Sequence, residues 1–352
     1  MTKEAEDIAQ LRADCALANK FWGRIFSALG AVTYREKGLE AAQKLWVMLL
    51  RQHQQGFYHQ GLCKLGIRDD EPPAVKAAKY HYLTNQIGGL DMEYVEESPK
   101  KVWIRYVAPM WTYAGVTMLA IPGALRREIF TAWHPRNGAM MGNTRLGWVS
   151  TKFIMESEWC DEGYFIEYDH DLAPGEEFRF EPAMHTPEAD PAKAPRLDPE
   201  AWPEARRLKA TRNWSREYVK TTVECLYGLF GQQVTYFLFA QVMRGIAIQF
   251  THELKTDIGV QGRDAKAVAE FLFRLQKACG QDVTMTESDG VYRLASRTFL
   301  PFEKEVSDEI RAAMFEFPAM AAHLINGRIS LRRVANEVGE TWEIRDEGRW
   351  LL

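Results

Sequence analysis

The stretch from Val107 to Asn143 holds the densest set of side chains able to do chemistry. Trp111, Tyr113 and Trp133 offer planar surfaces on which a ring stacks, while His134, Arg136 and Asn137 supply a base, a carboxylate clamp and a hydrogen-bond donor. The same residues also have a structural reading, in which His134-Pro135 ends a helix and the tryptophans fill a core. Upstream, His81 sits between Tyr80 and Tyr82 in KYHYLTNQ, where an imidazole on a helix could face an aromatic-lined cavity and act as a base, or could simply bond a carbonyl. His59 recurs as His252, which suits either a shared site or a shared structural bond. Alternation along LGWVSTKFI places Lys152 on the strand face of Trp148 and Ile154. A lysine there is either desolvated, with a lowered pKa, or reaches out to the sheet edge. Glu156, Glu158, Asp161 and Glu162 read as a solvated hairpin rim or as cation ligands.

The elements that must position these residues occur twice. A shift of 193 aligns Arg51, Phe57, His59 and Gly66 with Arg244, Phe250, His252 and Gly259. A shift of 191 aligns Ala74, Ala78, Gly89, Asp91 and Glu96 with Ala265, Ala269, Gly280, Asp282 and Glu287. Element order is the stronger signal, because each element must bury its apolar face in the same architecture. Helical patterns over about 5–65 and 74–87 precede two alternating segments, LDMEYVEES and KVWIRYV. The second half repeats this over about 203–254 and 264–279, followed by QDVTMTE and VYRLASRTF across Asp289-Gly290, a strong hairpin pair. Helices beginning near Gly123 and Ser307 then lead into two further strand pairs. The expected fold class is α+β, two diverged repeats with helices packed on an antiparallel sheet in the order αα-ββ-α-ββ. The domains expected are an N-terminal repeat over 1–170, a Pro-rich connector over 171–203, and a C-terminal repeat over 204–352 acting mainly as a structural partner.

This order resembles the vinyl-reductase-like domain, similar in turn to small transport-particle subunits and to sensor domains of aromatic-responsive activators. It also resembles the bacterial 2-amino-thiazoline-4-carboxylate hydrolase group. The resemblance implies a pairing of two units and an apolar pocket for a small, often aromatic molecule. Metal-binding members carry cysteines near the last hairpin, whereas SEWCDEGYFIEYD offers only Cys160 and ANEVGETWEIRD none, so no metal site is expected.

Composition narrows the function classes. Forty-four Lys and Arg against 48 Asp and Glu leave a net charge of −4 over 352 residues, which gives no basic footprint for nucleic acid. The start lacks an apolar leader and no run reaches membrane-spanning length, so a cytoplasmic protein without membrane or nucleic-acid partners is expected. Cys15, Cys63, Cys160, Cys225 and Cys279 are isolated, as in a reduced compartment. There is no GxGxxG after a strand, and no GxxxxGK[ST], HExxH or GxSxG, so no cofactor is expected. The leading expectation is a cofactor-independent lyase of aromatic catabolism acting on a small aromatic or heterocyclic acid. In it His134, His81 or Lys152 removes a proton, Arg136 holds the anion, and Trp111, Tyr113, Trp133, Asn137, His59, Tyr80 and Trp148 line the pocket. A hydrolase of a cyclic amidine or thiazoline, a non-catalytic aromatic-ligand sensor or carrier, and a scaffold are the alternatives, with a homodimer as a possible assembly.

Overall fold

The computed structural model describes residues 3–109, 120–302, 306–335 and 339–351, with side chains from residue 6 onward. The chain is α+β and divides into two compact units, one formed by residues 33–214 and the other by residues 1–32 together with 215–352. The Pro-rich segment 171–203, expected to separate two domains, lies wholly inside the first of these. Among the described residues, no helix is long and apolar enough to cross a membrane.

Helix α1 (Lys3–Lys64) is continuous except at Gly38, whose φ of 82° and ψ of 179° kink it into two arms. Only glycine occupies that backbone region without strain. The arm before the kink begins in the unit of 215–352, and the arm after it belongs to 33–214. Helix α2 (Pro73–Ile87) starts on consecutive prolines, whose fixed φ and missing N–H suit a first turn. It packs on a sheet formed by β1 (Asp91–Ser98), β2 (Lys101–Val107), β3 (Leu146–Lys152), β4 (Cys160–Glu167) and β5 (Phe178–Phe180), in the order β1-β2-β4-β3-β5. Between β2 and β3 lie α3 (Gly123–Ala132), a 3-10 turn over His134–Arg136, and α4 (Asn137–Met141), which stops at Gly142 in the left-handed conformation.

Strand β5 arises within the Pro-rich segment. It pairs parallel to β3, and Phe180 stacks on Phe153 with ring centroids 5.4 Å apart. Farther on, the Trp202 indole N–H donates to the Lys64 carbonyl at 2.9 Å. The segment expected to be an exposed connector is thus laced to this unit by a strand and an anchored tryptophan, because its few aromatic residues find partners its composition does not advertise.

Helix α5 (Glu204–Ile258) kinks at Gly231, with φ 75° and ψ 176°. Helix α6 (Ala265–Ala278) is capped by Asp264, whose carboxylate accepts from the Ala267 N–H at 2.8 Å. A four-stranded sheet, β6 (Val283–Ser288), β7 (Val291–Ser296), β8 (Ile329–Ala335) and β9 (Glu340–Asp346), runs in the order β6-β7-β9-β8, with α7 (Asp308–Ile325) on β8. The early arm of α1 is tied into this unit by Lys20 with Glu253 and Asp257, by Arg24 with Glu253 at 3.0 Å, and by Phe21 edge-on to Phe317. Arg244 sits in an apolar run of sequence, yet its side chain is partly exposed and pairs with Glu316 at 2.8 Å.

Candidate functional site

The helix-facing side of the first sheet is the most chemically loaded place in the 33–214 unit. His81 comes from α2, His134 from the turn after α3, and Tyr106, Trp148 and Phe165 from β2, β3 and β4. The His81 and His134 rings stack at 4.4 Å with their planes 17° apart. Phe130 stacks on His134 at 4.9 Å, and the Trp148 ring centre lies 4.4 Å away. Gly163 makes the seat for Trp148, since a Cβ there would come within 2.4 Å of the indole. Ring pairs of this kind contribute about 0.5 to 1.5 kcal/mol each beyond their buried area.

Both imidazoles are fixed by polar contacts. The Asn137 amide donates to His81 Nε2 at 2.9 Å, so the His81 proton sits on Nδ1. Tyr106 Oη lies 2.9 Å from His134 Nε2. Burial holds His81 down to about 3, against a weaker opposing pull from the Asn137 hydrogen bond. Burial likewise pushes His134 well below its ordinary value, with the charges of His81 and Arg126 acting in the same direction. Burial raises the Tyr106 phenol, which stays protonated. At neutral pH this is therefore a set of neutral donors and acceptors in an apolar setting.

Several of them lack a partner. Among the described residues, His134 Nδ1, Asn137 Oδ1, Trp133 Nε1, Gln54 Oε1 and Arg136 Nε are buried and make no hydrogen bond. Gln54, on the second arm of α1, reaches the cluster through an amide bond to the Trp133 carbonyl at 3.3 Å. Each unmet polar atom costs about 1 to 3 kcal/mol in a folded interior. So many in one place is uncommon in a purely structural core.

The expected residues fall into distinct groups. His81, His134, Asn137, Trp133 and Trp148 come together, and Tyr80 joins through an edge contact with His81 at 5.6 Å. Arg136 is half-buried at the margin, where burial and then the charge of Arg51 lower its pKa. His59 is exposed on α1 and touches the Tyr58 ring rather than the cluster. Trp111 and Tyr113 lie outside the described residues.

Lys152 is on the other side of the sheet. The register shifts between Ser150 and Lys152, so Trp148 stands opposite Phe165 whereas Lys152 stands opposite Glu162. This bulge breaks the alternation that would have kept Lys152 beside Trp148. The lysine pairs with Glu162 at 3.3 Å and donates to Thr186 at 3.2 Å. It ends a row of alternating charge, Glu93, Arg105, Glu162 and Lys152, crossing four strands in register. Glu162 is 1% exposed. Burial alone would raise its pKa, but hydrogen bonds from Thr151 and Arg105 outweigh it and keep the carboxylate below its usual range. Asp161, fully buried on the histidine side, accepts from Arg126 at 3.0 Å and from the Ile154 N–H at 3.0 Å. These two acids form structural ion pairs, not a solvated rim.

Sequence reasoning did not single out Tyr106, Gln54 or Arg126. Tyr106 sits in the alternating KVWIRYV segment and Gln54 one helical turn before buried Tyr58, which are weak local signals. Among the described residues, no group of three His, Cys, Asp or Glu side chains is arranged to hold a metal.

Comparison with known proteins adds no relative: the chain matches no family model, no curated protein and no solved structure.

Proposed function

We propose that the 33–214 unit binds a small planar aromatic or heterocyclic acid against the His81–His134 stack, as a carrier or sensor does, without transforming it. The observation that carries this reading is the convergence of unpaired buried polar atoms on stacked rings. A planar ligand would accept from Trp133 Nε1, match His134 Nδ1 and Asn137 Oδ1, and place its carboxylate toward Arg136. His53 on α1 lies against Trp133 at 5.6 Å, and these two rings, each 9% exposed, would form the way in for the ligand.

The lyase reading rests on the Tyr106–His134 contact, which joins a phenol to an imidazole along one proton path. Burial works against it, because an imidazole held neutral far below pH 6.5 accepts a proton weakly. Hydrolysis of a cyclic amidine meets the same obstacle. Lys152, the other base considered, faces the charge row instead.

The strand orders β1-β2-β4-β3 and β6-β7-β9-β8 are the same path, and the kink glycines Gly38 and Gly231 stand at the shift of 193 that aligns His59 with His252. Both observations support one duplicated unit.

The test is calorimetric titration with benzoate, nicotinate and related ring acids, with product analysis by mass spectrometry. Saturable binding without product, weakened at least tenfold in Asn137→Leu, is expected. Arg136→Leu should erase the preference for an acid over its uncharged amide. Turnover would move the assignment to the lyase class, and no binding by any ring acid would overturn the proposal.

A further inference from the structure

The unit of 215–352 contains a narrow cavity of about 40 Å³. Its walls include Trp22 from the early arm of α1, Met243 from α5, Gln276 from α6, Met314 and Phe317 from α7, and Trp342 from β9. It is almost wholly apolar, yet two of its wall residues carry unpaired donors. Trp22 is 1% exposed and its indole Nε1 makes no hydrogen bond among the described residues. Gln276 is 9% exposed, and its Oε1 is taken by the Ser296 hydroxyl at 2.7 Å, which leaves Nε2 without an acceptor.

Two buried donors beside an apolar void are costly unless something accepts from them. A water needs only about 10 to 15 Å³ of such space and fits, but an apolar wall with few acceptors leaves its own hydrogens unmet. A single ring needs more room than this void offers, so Met243 and Met314, unbranched and adaptable, must yield to admit one. No charged side chain lines the cavity, which excludes an ionised ligand.

We infer that the 215–352 unit has its own ligand site, for a small uncharged molecule whose ring nitrogen or carbonyl accepts from Trp22 Nε1 and Gln276 Nε2. The place in the fold is telling. Leu272 in the wall stands at the shift of 191 from His81, each on the helix that packs on its unit's sheet. Where one unit carries stacked histidines, the other carries a cavity with donors, so the two sites select different chemistry. The second unit is then more than a structural partner.

Pyridine, neutral at pH 7.5, and benzene, equal in shape but without an acceptor, separate the possibilities. In the full-length protein with ¹⁵N-labelled indoles, pyridine is expected to shift the Trp22 N–H resonance saturably, and to bind at least tenfold more tightly than benzene. Trp22→Phe, which also assigns the resonance, should bring pyridine down to the benzene level. Gln276→Leu should do so in part, and serves if Trp22→Phe does not fold. An unmoved Trp22 signal, equal binding of the two probes, or pyridine binding untouched in the folded variants would overturn the inference. The readout is confined to Trp22, so it is independent of whether ring acids bind near His81.

Discussion

The imidazole of His81 lies parallel to that of His134, 4.4 Å away, and each ring is held by a different neutral partner, Asn137 for the first and Tyr106 for the second. Two histidines can share so close a space only while both are uncharged.

That requirement sets the acid stability. Burial lowers His53 and His81 to about 3, and His134 also falls well below 6.5. Below about 6.5 the unfolded chain takes up these protons while the folded chain does not, so stability is fully present above that pH and declines as pH falls toward 3. Each such histidine contributes a loss of about 1.4 kcal/mol per pH unit. Urea unfolding between pH 6.5 and 5, above the carboxylate range, should show a slope that steepens from about one and a half protons toward three. His134→Phe should reduce it by about one, and an unchanged slope would mean that this imidazole titrates freely in the fold.

Removing Arg126 should be far more damaging than removing both members of its pair. Asp161 is completely buried and Arg126 is 5% exposed, so Arg126→Leu strands a carboxylate at a cost of about 3 to 5 kcal/mol. The double variant with Asp161→Leu should recover most of that loss in a chemical-denaturation cycle. Equal destabilisation by the single and double changes would show that the charges do not act as a pair.

The kinks offer a backbone test. No atom lies within 4 Å of a Cβ built at Gly38 or Gly231, so alanine there meets no steric obstacle. The cost should come from φ alone, about 1 to 3 kcal/mol at each site. Thermal melts of G38A and G231A should therefore both fall, whereas G56A, inside the regular second arm with equal free space and no positive φ, should not.

Phenol deletion probes the histidine site directly. Tyr106→Phe leaves His134 without its hydrogen bond and should cost about 1 to 3 kcal/mol, with little change in the ring packing around Phe130. If the variant is as stable as the parent, a water or a rotated imidazole has taken the place of the hydroxyl.

Much of the architecture is readable in the residues. The strands LDMEYVEES and KVWIRYV, the Asp-Gly hairpin and the helix starts near Gly123 and Ser307 coincide with observed elements, because period-two alternation and turn chemistry act locally. What stays hidden depends on distance along the chain. A single glycine in a helical pattern reads as tolerated, so the bend at Gly38 is silent. A bulge at Thr151, which turns Lys152 to the other face, leaves no mark in LGWVSTKFI. Asp161 and Glu162 look like surface acids because their arginines are 35 and 57 positions away. The grouping of Asn137 with His81 spans 56 positions and follows only from packing α2 beneath the turn after α3.

The arm of α1 that begins the chain also governs how the protein can be made. The residues that Lys20 and Arg24 grip, Glu253 and Asp257, follow them out of the ribosome by more than two hundred residues. Over that interval of synthesis the segment lacks these partners, and it must be shielded or loosely held until α5 and α7 arrive. A gene cut between the two sheets would strand a helix on one product and open the core of the other, so the two sheets are separable on paper but not in expression.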